Sequence, residues 1–146
     1  MSAPALEPVN FAWRVAVATD GRDFLVAWTE PGNLGVTRIR YARVLRSGVV
    51  ADIPAKLLAA QAGSHPSVAF TSGRYLITWT SGTRVACALL DRDGNVLRRL
   101  SLEAGPYVPR WYAAAADGHF LVAWTEQTEQ GSPRGCSTPC SVLRPP

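Results

Sequence analysis

The chain is poor in several residue types, and each shortage narrows the possibilities. Its 146 residues include two histidines, one lysine (Lys56) and one methionine. The longest apolar runs, VACALL and WYAAAA, have six residues each, far short of the ~20 that a membrane-spanning helix needs. No basic start followed by an apolar stretch of ~7–15 residues stands near Met1, so no signal peptide is read in this chain. Only three cysteines occur, Cys87, Cys136 and Cys140. The odd count leaves at least one thiol free or paired outside the chain. Cys136 and Cys140 frame Ser-Thr-Pro and suit a small disulfide in an exported protein. A lone pair at this spacing falls short of the four ligands that structural zinc takes. Cys87 is expected to be a buried small apolar residue.

Charge is sparse and of one type. The net charge is +4, and every basic residue other than Lys56 is arginine. The arginines are scattered, apart from a local cluster in TRIRYARVLR. A nucleic-acid binder gathers them in a stripe among stacking aromatics, so no nucleic-acid partner is expected, and no membrane partner either. With 47% hydrophobic and 18% charged residues, the composition is that of a globular chain.

What the chain does have is internal similarity. FLVAWTE at 24–30 returns as YLITWTS at 75–81 and as FLVAWTE at 120–126. Phe24, Tyr75 and Phe120 lie 51 and 45 residues apart, a period in the range of propeller blades. A small-residue strand precedes each string: RVAVAT, PSVAFT and WYAAAA. Asp-Gly or Ser-Gly joins the two, which suits a tight hairpin. A third strand follows (IRYARVL, VACALL), then a turn, then a fourth (VVADIP, VLRRLSL). The boundaries read as 12–63, 64–105 and an incomplete 106–146. CSVLR at 140–144 supplies the last unit's third strand, and residues 1–11 are a candidate outer strand for it.

Side chains alternate across a strand, so Phe24, Val26 and Trp28 share one face, and Leu25 and Ala27 the other. Both faces are apolar, as a sheet packed between two neighbours requires. The predicted fold class is therefore all-β, with four-stranded antiparallel blades of the β-propeller type and Trp28, Trp79 and Trp124 as core packing between blades. Under three blades per chain falls short of the ~4–8 of a closed ring. Two routes remain open: self-association, with a dimer of two such chains favoured, or membership of a longer propeller.

The proline, the small strand, the Asp-Gly turn, FLVAWT and the run Asp91, Asp93, Gly94, Val96, Leu97 together resemble tandem β-propeller repeats of secreted and surface proteins from GC-rich bacteria. That resemblance implies an extracellular or periplasmic scaffold, some of whose relatives are lectins. The Ser-x-Asp-x-Gly-x-x-Trp order of sialidase repeats is absent.

No catalytic constellation is legible. Asp91 and Asp93 lack the further oxygen ligands of a calcium loop and read as a hairpin turn. His65 and His119 fall at opposite ends of a blade. Glu30 and Glu126 are equivalent loop residues, the one pair that a glycosidase reading would use. No cofactor and no metal is expected. The binding expectation rests on topology. Trp13, Arg14, His65, Arg110 and Trp111 all enter first strands and belong at one rim, together with the loops EPGNLGVT and EQTEQGSPRGC. An aromatic face and a planar cation suit a sugar or an anionic group. The functional expectation is a non-enzymatic binding or scaffold module recognising glycan or protein at that rim. The alternatives are a fragment of a glycan-acting enzyme and a purely structural segment.

Overall fold

The computed structural model describes residues 14–61, 63–103, 110–125 and 141–143, with 110–116, 125 and 141–143 described by their backbone. The chain is all-β. Strands β1 (Val15–Thr19), β2 (Phe24–Pro31), β3 (Thr37–Val44) and β4 (Lys56–Ala59) form one antiparallel sheet in the order β1-β2-β3-β4. A second sheet repeats that order with β5 (Gly63–Thr71), β6 (Arg74–Ser81), β7 (Arg84–Leu90) and β8 (Val96–Glu103). The third pairs β9 (Arg110–Ala116), β10 (His119–Thr125) and β11 (Ser141–Leu143), with β10 in the middle. The three similar strings are β2, β6 and β10, each the second strand of its sheet.

Turn chemistry sets the registers. Ser72 and Gly73 (φ 47 and 75) join β5 to β6, and Asp117 and Gly118 (φ 49 and 78) join β9 to β10. Positive φ at both central residues is the hairpin turn whose twist matches that of the strands, and Ser-Gly and Asp-Gly accept it. The first hairpin is longer. Asp20 Oδ1 accepts the amides of Arg22 (2.9 Å) and Asp23 (2.7 Å), closing the Asp20–Asp23 turn with a side chain.

One strand lies elsewhere than the sequence suggests. VVADIP was the expected fourth strand of the first sheet, yet it contributes only an isolated bridge, Val44 to Val50. The strand is Lys56–Ala59 instead. Asp52 turns inward and its carboxylate takes the Arg43 amide at 2.8 Å, the slot a neighbouring strand would fill. Pro54 has no N–H to offer a ladder.

The sheets stack face to face, with β1 against β5 and β5 against β9. Between the first and second lie Leu25, Ala27, Ile39, Tyr41 and Leu58, packed on Tyr75, Ile77, Trp79, Ala88 and Leu90. Between the second and third, Ala69, Leu76, Val85, Cys87 and Leu89 meet Phe120, Val122 and Trp124. The middle sheet thus buries both faces, which explains the absence of polar alternation along β6. Cys87 is fully buried, and that burial pushes its thiol up to about 12.

Candidate functional site

Each sheet begins with its first strand, and the leading ends of β1, β5 and β9 occupy matching register positions. The Arg14 carbonyl accepts the Thr29 amide at 3.0 Å, just ahead of the Val15–Trp28 pair. Arg110 lies opposite Thr125, and Trp111 opposite Trp124. In the middle sheet, pairing jumps from Ser64–Thr80 to Ser67–Thr78, so His65 and Pro66 together oppose Trp79. This is a β-bulge. Pro66 cannot donate to β6, and bulges are where a sheet tolerates proline. His65 sits within it in the left-handed region, at φ 53. A non-glycine residue held there costs of order 1–2 kcal/mol, and such residues gather at binding sites. The half-buried His65 ring places Nδ1 3.0 Å from Ser64 Oγ, which itself lies 3.3 Å from Thr80 Oγ1.

The β2–β3 and β6–β7 connections reach the same ends of their sheets. The first contains a single 3-10 turn, Asn33–Gly35, with Leu34 at φ 58 and wholly exposed. Beside it, Asn33, Leu34, Val36, Arg38, Leu57, Ala60 and Gln61 line an open groove of about 430 Å³. The Arg38 guanidinium donates to Asn33 Oδ1 at 3.1 Å. An apolar floor with a planar cation at its edge suits the flat face and the oxygens of a sugar. The sequence flagged the loop but not the groove, because Leu57 belongs to the displaced fourth strand and Ala60 and Gln61 follow it.

No family model, curated protein or solved structure matches the chain.

The remaining predicted residues fall as follows. Arg14 is exposed. Trp79 belongs to the core between the first two sheets and Trp124 to the core between the last two. Trp28 is buried as well, on the face of the first sheet opposite to that of Leu25 and Ala27. Trp13, Glu126, Cys136, Cys140 and residues 1–11 lie outside the described residues. His119 stands at the first hairpin end of the third sheet, its Nδ1 2.9 Å from the Asp117 carbonyl. Glu30 is bound by Arg40 at 2.5 Å. Asp91 caps its own turn, accepting the Asn95 amide at 2.8 Å and Asn95 Nδ2 at 2.9 Å. Among the described residues, no three His, Cys, Asp or Glu side chains group so as to hold a metal ion.

A polar cluster unforeseen from sequence pins the first sheet to the second at the other end. The buried Asp52 carboxylate pairs with Arg43 (3.2 Å) and Lys56 (3.4 Å), and Arg43 reaches Asp93 across the seam (3.4 Å). Lys56 Nζ and Tyr41 Oη both donate to the Gly94 carbonyl, at 3.2 and 2.9 Å. Burial raises the Asp52 carboxyl, but hydrogen bonds from the Arg43 side chain and amide and the nearby cations outweigh it, leaving Asp52 below the ordinary carboxylate value. Every member is matched, so this cluster reads as a clasp between sheets.

Proposed function

We propose that the chain is a β-propeller-type, non-enzymatic module of radially stacked blades that binds a glycan, lectin-like, at the rim formed by the leading ends of its first strands. Trp13, Arg14, His65, Arg110 and Trp111 are the binding residues of this reading, and the groove beside Leu34 and Arg38 extends the same rim. The observation that carries it is His65. A left-handed histidine stands in a bulge of the middle sheet, opposite Trp79 and next to Ser64, the residue whose counterparts in the other two sheets are Arg14 and Arg110. Bulges of this kind re-aim a side chain next to a site. Arginine supplies planar, charged donors for carboxylate or hydroxyl oxygens. An enzyme reading is disfavoured because Glu30, half of the glutamate pair it would use, is engaged by Arg40.

A glycan array probed with the purified chain tests the proposal, with acidic glycans as the expected ligands. Arg14→Ala and Arg110→Ala should each weaken binding about tenfold, the equivalent of ~1.4 kcal/mol. His65→Gly separates binding from folding. Glycine accepts positive φ freely, so the variant should melt no lower than the parent yet bind less. No binding by the parent chain, or binding that all three variants leave unchanged, overturns the reading.

A further inference from the structure

We infer that two copies of the chain join head to tail, the open face of the first sheet in one copy seating on the open face of the third sheet in the other. This rests on the stacked-blade reading above and adds the partner and the residues that meet it.

The argument begins with the two seams inside the chain. In each, the leucine face of one second strand meets the aromatic face of the next. Leu25 and Ala27 of β2 pack toward Tyr75, Ile77 and Trp79 of β6. Leu76 of β6 packs toward Phe120, Val122 and Trp124 of β10. Counting faces leaves one of each kind over: the aromatic face of the first sheet and the leucine face of the third. Their exposure is opposite to that of their equivalents. Phe24 is 42% exposed, whereas Tyr75 is 1% and Phe120 0%. Leu121 is 40% exposed, whereas Leu25 is 0% and Leu76 1%. Val15 and Val17, directly opposite Trp28 and Val26, are exposed to 60% and 59%. Contiguous apolar surface of this kind marks an interaction site.

The two spare faces are the halves of one more seam of the kind the chain makes twice. They lie at opposite ends of the stack, facing away from the middle sheet, so a second copy brings what one copy cannot join to itself. Two copies then form two identical seams, aromatic face on leucine face each time, related by a two-fold axis. Closed symmetric assemblies of this type end growth, where a single open seam would propagate.

Light scattering during size-exclusion chromatography of the full chain is the test, with sheet content and cooperative melting followed by circular dichroism. The parent chain should run at twice its chain mass. Val17→Arg and Leu121→Arg should each weaken association at least ~30-fold, since each places an unpaired charge in an apolar seam. An equimolar mixture of the two variants should recover part of the association, because one of its two seams joins two unaltered faces while both arginines fall in the other. If either variant fails to melt cooperatively, Val15→Lys or Leu121→Gln takes its place. A monomer at every concentration, an assembly of three or more copies, a dimer indifferent to Leu121→Arg, or a mixture without rescue overturns the inference. Glycan binding is read separately on the same samples. Loss of the dimer with binding intact defeats the seam alone, and a dimer that binds nothing defeats the rim alone.

Discussion

Asp52 shows how one residue redirects a chain. Residues 49–54 carry apolar side chains suited to a strand, but the carboxylate takes the Arg43 amide and two cations, and strand pairing moves on to Lys56. Its carboxyl sits below the ordinary value despite burial. A carboxyl held low in the folded state adds stability that is present above the unfolded pKa, ~4, and is lost as pH falls through the folded value. Asp52→Asn should therefore cost about 1–3 kcal/mol at neutral pH, as expected when charged donors lose their acceptor. In denaturant titrations the gap between the two proteins should begin to narrow below ~pH 4 and close only as the pH falls through the lower folded value, where the parent carboxylate is itself protonated. A gap that persists unchanged into acid would show that charge is not the source. Residues of this type are hard to find beforehand. Asp52 lies in a stretch that reads as a strand, and its partners come from another strand and from the neighbouring sheet's turn. His65 is hidden for a similar reason: nothing in Ser-His-Pro-Ser announces a left-handed backbone.

At the scale of elements, the second strands were legible because they combine an apolar string of fixed length with a Gly-bearing turn on the near side. Those features are local, and local chemistry sets a hairpin register. The fourth strand of the first sheet was not legible, because its position is decided by Asp52 and by Pro54, which withholds a donor from the ladder. The groove was lost with it. Contact between sheets was legible as two-sided apolar strands, but how closely they approach was not. Gly63 opens β5 at the point where a Cβ would come within 2.6 Å of Ile39 Cγ1 on the first sheet. Gly63→Ala should destabilise by about 1–3 kcal/mol through overpacking. Gly82 offers the contrast, with φ 62 and open space around it. Gly82→Ala should cost only the local strain of a left-handed alanine, about 1 kcal/mol. Thermal melts of the two variants compare a steric cost across a seam with a conformational cost confined to a turn. Equal losses would mean that the first two sheets are not as close at Gly63 as described.

At the scale of the molecule, the middle sheet is the keystone. Its Tyr75, Ile77 and Trp79 serve one core while Leu76, Val85 and Cys87 serve the other. The outer faces of the first and third sheets are left with exposed Val15, Val17, Phe24 and Leu121. The rim reading and the head-to-tail dimer both depend on this arrangement of sheets laid face on face. Cys87 reports on it directly, because it lies at the centre of the second seam and is wholly buried there. With Cys136 and Cys140 replaced by serine, alkylation of the remaining thiol at mildly alkaline pH is the decisive measurement. The stacked arrangement predicts a thiol that stays unmodified in the native protein, through burial and a pKa of about 12, and reacts fully once the protein is unfolded in denaturant. A native thiol that reacts as fast as the denatured one would contradict it.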